Sequence, residues 1–168
     1  MVAKRNTTPK ANSLLKKYGY SSGTVERFYG GFNHDWMGFA DIMAYRSMDG
    51  FLPGEGYGLA DETDVDFSGC LAVQCCTANN LREHIDKVIF DDTQKGRKRS
   101  KDLMEFLQCG GNRFEIWAFP TAAWIKKHPT TKQEDYMKVQ RIVVDDSEFY
   151  ILDSTELECF GFSPKIRA

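Results

Sequence analysis

The sequence lacks several features that would assign a chain of this size to a class at once. Its five cysteines form no C-x-x-C pair, and no cysteine–histidine spacing is typical of a zinc site. No apolar run reaches the length of a membrane span, and the N-terminus has none of signal-peptide length. We therefore expect a soluble, cytoplasmic protein without membrane contact, whose cysteines serve as small apolar fillers.

An excess of positive charge and a phosphate-cradling glycine loop are also missing. The formal net charge is −2, whereas DNA-binding domains are usually basic. The segment "GEGYG" is not followed by the lysine and the helix start that a P-loop requires. One stretch departs from this balance: "QKGRKRSK" (94–101) carries five positive charges in eight residues. We predict a basic loop there, which is either a solvated surface or a phosphate-contacting segment.

What is present suits one domain spanning 1–168. Hydrophobic residues make up 42% of the 168 and aromatics 13%, enough for a core without disulfides. The first ten residues are polar, and we predict that 1–10 is disordered. The order of predicted elements indicates an α/β fold with a mixed central sheet flanked by helices. We predict helices over 10–19, 79–90 and 100–111, strands over 24–32, 39–47, 70–77, 112–120, 136–144 and 148–153, and a long acidic loop over 49–69.

Two polar residues interrupt apolar strands. Asp41 lies between Phe39 and Met43, and Gln74 lies within "LAVQCCT". An ionised carboxylate inside an apolar strand needs a partner or a metal, unless it faces solvent. A buried amide needs hydrogen-bond partners, or it can offer its carbonyl oxygen to a hard cation. The pattern leaves both possibilities open for each residue.

The helix that follows this strand carries a polar stripe. Asn80, His84 and Lys87 recur at helical spacing, so they form either a solvated face or a face directed toward Gln74. A thiol enzyme with His84 as the base is a further hypothesis. Burial of cysteines in an apolar strand argues against it, because burial suppresses thiolate formation.

Five motifs follow one another between Glu26 and Phe119: "VERFY", "GFADIMAY", "LAVQCCT", "NNLREHIDKV" and "GGNRFEIWAF". Their order resembles the PD-(D/E)XK nuclease superfamily, in particular its small, often phage-encoded members. That superfamily includes Holliday junction resolvases and restriction-type endonucleases. The resemblance implies a restriction-endonuclease-like fold, in which an acid on one strand and an acid-x-lysine motif on the next hold a divalent metal.

The resemblance implies a metal site for Mg²⁺ or Mn²⁺. Asp41 matches the aspartate of the first strand, and Gln74 matches the second acid. Cys75 is the intervening residue, whose backbone carbonyl often ligates the metal. Glu26, which we expect in the middle of a strand, matches the acid that many members supply from the N-terminal element.

Two departures from the family pattern concern the second motif. A neutral glutamine at Gln74 replaces the acid, and Cys76 stands where the lysine is expected. A thiol cannot orient water or stabilise phosphate charge as an ammonium does. Some relatives are thought to carry the lysine on the next helix, which implies Lys87 here, or less favourably Arg82.

The implied function is metal-dependent phosphodiester hydrolysis of DNA, with Asp41, Gln74, Lys87 and Glu26 as the catalytic residues. The alternative is a catalytically inactive protein of the same fold that binds nucleic acid or a protein partner, in an accessory or anti-defence role. Resolvase relatives are often dimers, which implies a homodimer. The residues expected to follow backbone phosphates are Arg97, Lys98, Arg99 and Lys101.

Overall fold

The structure is a computed structural model, and it describes residues 7–17, 20–29, 32–46, 70–109, 111–129 and 137–152. The acidic loop predicted over 49–69 lies outside these residues, as do residues 1–6. None of the helices in the described ranges is both long and apolar enough to cross a membrane.

Eight strands lie in the described residues: β1 (Tyr20–Thr24), β2 (Arg27–Tyr29), β3 (Phe32–His34), β4 (Ile42–Arg46), β5 (Leu71–Thr77), β6 (Arg113–Phe119), β7 (Lys138–Asp145) and β8 (Glu148–Leu152). Six of them form a central mixed sheet in the order β1-β4-β5-β6-β7-β8, with β5 and β6 parallel and the other neighbours antiparallel. The strands β2 and β3 form a separate two-stranded antiparallel sheet. The predicted α/β class with a mixed sheet and packed helices is confirmed.

Helices cover both faces of the sheet. The helix α1 (Thr7–Lys17) packs on β1, β4 and β5, whereas α2 (Leu81–Ile85) and α3 (Gln94–Gln108) form the crossover between the parallel strands β5 and β6. A short helix α4 (Ala122–Lys127) follows β6. Both β5 and β6 are buried along almost their whole length. Their apolar sequences are typical of central strands that are covered on both faces.

The two adjacent cysteines of β5 confirm the alternation of side chains along a strand. Cys75 belongs to the apolar cluster beneath α1, with Ala11 and Leu15. Cys76 belongs to the cluster on the other face, with Val88 and Leu103. Both thiols are therefore core residues on opposite sides of the sheet.

Several predicted boundaries were wrong near the N-terminus. The helix begins at Thr7 and not at Lys10, so residues 7–10, predicted to be disordered, are helical. Pro9 lies in the first helical turn, where its missing N–H has no intrahelical partner to lose. The strand predicted over 24–32 is divided, because β1 ends at Thr24 and β2 starts at Arg27. Glu26 consequently lies in the connection between strands and not in the middle of one.

The basic segment 94–101 is the first half of α3 and not a loop. Thr93 caps the helix, since its side-chain oxygen accepts a hydrogen bond from the backbone N–H of Gly96 at 3.1 Å. Two ion pairs at i,i+4 spacing then follow on the exposed side of the helix: Lys98–Asp102 and Lys101–Glu105.

The helix predicted over 79–90 consists of three pieces. A 3₁₀ turn (Ala78–Asn80) leads into α2, and α2 continues as a π-helical segment (Asp86–Phe90). Thr77, at the start of the 3₁₀ turn, makes no side-chain capping hydrogen bond. The predicted β7–β8 hairpin is confirmed, with Asp146 and Ser147 at positive φ in a two-residue turn.

Candidate metal centre

Three carboxylates from three different segments converge beside the sheet. Glu26, Asp35 and Asp41 each place one oxygen within 4.8 Å of the others. Glu26 lies between β1 and β2, Asp35 directly follows β3, and Asp41 directly precedes β4. The chain therefore leaves and re-enters the main sheet at the cluster.

Backbone hydrogen bonds around Asp41 fix this convergence. Its carbonyl oxygen accepts from the N–H groups of Val25 at 2.8 Å and Glu26 at 3.2 Å, which holds Glu26 beside it. Its own N–H donates to the carbonyl of Val73 on β5 at 2.9 Å. Asp41 is thus bound to both neighbouring parts of the sheet through its main chain.

A tight turn brings Asp35 next to Asp41. Trp36 and Ala40 form an isolated β-bridge, with the Trp36 N–H donating to the Ala40 carbonyl at 2.7 Å. Between them, Met37 and Gly38 adopt positive φ angles of 50° and 80°. The turn thereby reverses the chain within the five residues that separate the two acids.

The side chain of Asp41 is buried, and its exposed fraction is 1%. The possibility that it faces solvent is therefore wrong. Its Oδ2 accepts two hydrogen bonds of 2.7 Å, one from Gln74 Nε2 and one from the backbone N–H of Cys75. Within the described ranges, its Oδ1 has no hydrogen-bond partner other than the neighbouring Asp35 carboxyl, and the buried Oε1 of Gln74 has none. Two buried oxygens at the cluster thus retain unused lone pairs, which a cation could accept.

Burial and like charge strongly perturb the titration of Asp41. Burial, and then the neighbouring carboxylates of Asp35 and Glu26, raise its pKa from 3.8 to about 7, although the hydrogen bond from Cys75 opposes the shift. Like charges this close disfavour ionisation of the buried Asp41 carboxyl. Asp41 is therefore partly protonated near pH 7, and a divalent cation would favour release of its proton.

A lysine in the crossover between β5 and β6 reaches this cluster. Lys87 Nζ lies 2.7 Å from Asp35 Oδ2. The Asp35 side chain is 5% exposed and the Lys87 side chain 34% exposed, so the pair lies at the border between solvent and interior. Lys87 belongs to the π-helical segment, and such segments are frequent at functional sites.

The structure brings together Glu26, Asp41, Gln74 and Lys87, the four residues predicted to be catalytic. The sequence reasoning missed Asp35, which links Lys87 to the carboxylates. The segment "GGFNHDWMG" gave only a turn signal, and nothing in it marked a residue that follows a short hairpin strand. Cys75 was predicted to offer its backbone carbonyl to the metal. The structure shows that its backbone N–H donates to Asp41 Oδ2.

The four predicted phosphate-contacting residues separate into two groups. Arg97, Lys98 and Lys101 are exposed on α3. Arg99 is only 6% exposed and donates from its guanidinium to the carbonyl oxygen of Lys87 at 2.7 Å. Because α3 continues through the basic stretch, its inward face includes Arg99, which is consequently not part of an exposed basic surface.

The geometry does not support Cys75 as the nucleophile of the thiol hypothesis, and Cys76 is buried in the apolar cluster on the other face of the sheet. Burial raises the pKa of the Cys75 thiol well above its ordinary value, and the charge of Asp41 adds to this effect. Cys75 also lies in the core beneath α1, whereas His84 belongs to α2 on the other side of the sheet. A nucleophilic thiolate is disfavoured in such surroundings.

Comparison with protein-family models, with curated proteins and with solved structures found no match. The chemistry of the site is therefore inferred from its own groups, which are three carboxylates, one amide carbonyl and one ammonium.

Proposed function

We propose that this chain is a nuclease that hydrolyses DNA phosphodiester bonds with a divalent metal ion, on a restriction-endonuclease-like fold of the PD-(D/E)XK type. The observation that carries the proposal is the convergence of Glu26, Asp35 and Asp41 within 4.8 Å, with Lys87 Nζ 2.7 Å from Asp35.

The ligand chemistry favours a hard cation. Carboxylate and amide oxygens suit Mg²⁺ and Mn²⁺, whereas no thiolate or imidazole is needed for this set. Glu26, Asp35 and Asp41 would hold the ion, and Gln74 can offer its unpartnered Oε1 as a neutral ligand. Such an ion activates a water molecule and neutralises charge on the scissile phosphate.

The order of the site residues along the fold supports the resemblance to PD-(D/E)XK enzymes. Asp41 stands at the start of β4, Gln74 lies in the middle of β5, and these strands are antiparallel neighbours. An acid on one strand and a metal ligand on the next is the arrangement that the family implies. The side chains meet directly, through the 2.7 Å hydrogen bond between Gln74 and Asp41.

Lys87 takes the role that the family assigns to a lysine on β5. Cys76, which occupies that position, is buried in the apolar cluster with Val88 and Leu103, where an ammonium group would be costly. The ammonium of Lys87 instead reaches the carboxylates from the π-helical segment. In this position it can stabilise developing negative charge on the phosphate or orient the attacking water.

The exposed residues Arg97, Lys98 and Lys101 extend the proposal to substrate binding. They lie on α3, the helix that directly follows the segment carrying Lys87. Cations in this position can contact backbone phosphates without reading the base sequence. Since the net charge of the chain is −2, binding should depend on this local surface and weaken steeply with salt.

The test is cleavage of supercoiled, linear and branched DNA, with RNA in parallel, in Mg²⁺, Mn²⁺ or EDTA. We expect metal-dependent cutting that is lost in Asp41→Asn and reduced at least about 10²-fold in Lys87→Met, as for removal of one charge-stabilising donor. Lys16→Gln is the control, because it removes an exposed cation from α1 on the opposite face. Absence of cutting, together with absence of metal uptake by calorimetry, would refute the proposal.

A second candidate is favoured by the two altered motif residues. Gln74 brings no charge to the metal, and Cys76 brings no ammonium, so a derivative of the fold could bind nucleic acid or a protein partner without cutting. This candidate predicts salt-dependent DNA binding that persists in EDTA and is unchanged in Asp41→Asn.

A further inference from the structure

Arg99 is a buried cation between the two segments that form the Asp35–Lys87 ion pair. Its guanidinium Nη1 donates to the carbonyl oxygen of Lys87 at 2.7 Å and lies 3.4 Å from Asp91 Oδ2. Asp91 directly follows the π-helical segment. Arg99 therefore contacts the main chain of the lysine-bearing segment and the first residue after it.

The same side chain packs against the turn that carries Asp35. A Cβ atom added to Gly38 would lie 3.0 Å from Arg99 Nε and 3.6 Å from its Cγ. Gly38 is in the left-handed region with φ of 80°, and its N–H donates to the Asp35 carbonyl at 3.0 Å. Glycine is thus required there both by conformation and by the closeness of Arg99.

A second side chain of α3 holds the adjacent carbonyl. Ser100 Oγ donates to the carbonyl oxygen of Val88 at 2.7 Å. Two consecutive residues of α3 therefore bind two consecutive carbonyls of the π-helical segment. Because a π-helical turn is rare and seldom stable in isolation, these contacts from a neighbouring helix explain how it persists at this position.

We propose that Arg99 is a positioning residue, which sets the Lys87 ammonium against Asp35 by joining the Asp35–Asp41 turn to the π-helical segment. Its effect on catalysis rests on the proposed nuclease function, whereas its effect on the ion pair does not. Its Nη1 lies close to both the carbonyl oxygen of Lys87 and the carboxylate of Asp91, and the Nε side of the planar guanidinium packs against Gly38. A lysine at this position offers a single point of contact.

The test compares Arg99→Gln and Arg99→Lys with the wild type and with Lys16→Gln. The first readout is the acylation rate of Lys87, measured by mass spectrometry on the folded protein. We expect it to rise several-fold in Arg99→Gln, because an ammonium group displaced from a buried carboxylate is more accessible to the reagent. We expect unchanged labelling of Lys87 in Lys16→Gln, and a smaller rise in Arg99→Lys.

The second readout is kinetic. Misplacing a reacting group by about 1 Å costs roughly 10²-fold in rate, so Arg99→Gln should lower kcat by about that factor with KM nearly unchanged. Mn²⁺ affinity by calorimetry should stay within about twofold, because the metal ligands come from other segments. Arg99→Gln combined with Lys87→Met should cut no more slowly than Lys87→Met alone, since both changes remove one function.

The outcomes separate the two proposals. If the wild type neither cuts DNA nor takes up metal, the nuclease proposal fails, and the labelling of Lys87 still decides the positioning role. If Arg99→Gln leaves both the labelling and kcat at wild-type values, the positioning role is overturned. Should Arg99→Gln not fold, Arg99→Lys and Ser100→Ala carry the same measurement, and wild-type labelling of Lys87 in both would equally overturn it.

Discussion

Replacing Asp41 by asparagine should stabilise the protein at neutral pH while abolishing the proposed metal-dependent cleavage. The asparagine Oδ1 can accept the two hydrogen bonds that Asp41 Oδ2 now receives from Gln74 and Cys75. Its Nδ2 can donate to the neighbouring carboxylates of Asp35 and Glu26. The variant therefore preserves the geometry and removes one of three crowded negative charges.

The magnitude follows from the titration of Asp41. Its pKa is raised from 3.8 to about 7, with burial as the first cause and Asp35 as the second. Between these two values the unfolded chain releases the proton that the folded chain retains, so wild-type stability falls as pH rises and the full penalty is present above about pH 7. At 1.36 kcal/mol per pH unit, Asp41→Asn should gain at most about 4 kcal/mol at pH 8 and about 1.5 kcal/mol at pH 5.

The assay is urea unfolding at several pH values in EDTA, with circular dichroism as the measure of the folded fraction. We expect the difference in free energy of unfolding between variant and wild type to vanish below about pH 4 and to grow to its maximum by about pH 8. If the cluster binds Mg²⁺ as proposed, adding the ion should narrow the difference at pH 8, since a ligand of the folded wild type alone stabilises it by about 2.7 kcal/mol at a concentration of 100 Kd.

The control is Asp146→Asn, the same chemical change at an exposed position with φ of 44°. Asparagine tolerates this conformation well, so we expect a change within about 0.5 kcal/mol at every pH. The reasoning is refuted if Asp41→Asn is no more stable than the wild type at pH 8, or if the difference does not vary with pH.

Three further predictions concern parts of the chain outside the carboxylate cluster. Gly96→Ala should destabilise the protein by about 1–3 kcal/mol in urea unfolding, because a Cβ there would overlap the Asp91 carbonyl oxygen, whereas Gly23→Ala, with no atom of the described residues within 4 Å, should be nearly neutral. A thiol reagent applied to the folded protein should modify the exposed Cys70 and spare the buried Cys75, as peptide mass spectrometry would show; equal labelling would contradict the burial. Arg141→Met should cost about 3–5 kcal/mol in thermal or urea unfolding, because it leaves the buried glutamate opposite it on β6 without a cation.

The sequence predicts the centre of the fold better than its periphery. The apolar runs of β5 and β6 and the turn between β7 and β8 gave the correct elements, because burial on both faces and turn chemistry are local signals. The first half of α3 was missed for a physical reason. Its inward positions Gly96 and Arg99 are not apolar, so the helix shows little amphipathic pattern until Leu103.

The candidate site was predictable only where a polar residue interrupts an apolar strand. Asp41 and Gln74 stood out because burial of either needs a partner, and the structure shows that they are partners of each other. Asp35 could not be recognised in this way, since an acid in a turn is unremarkable in sequence. Its role depends on a reversal of the chain through Met37 and Gly38 at positive φ.

The separation of the site residues along the chain has a consequence for folding. The three carboxylates lie within a stretch of sixteen residues, from Glu26 to Asp41, whereas Lys87 is 52 residues from its partner Asp35. Contacts between distant residues form later than local ones, because closing a longer loop costs more entropy. We expect the three carboxylates to come together during folding before Lys87 contacts Asp35. A partly folded chain would then carry negative charge at the cluster without the opposing ammonium. If the cluster binds a divalent cation as proposed, the cation should accelerate refolding as well as stabilise the folded chain.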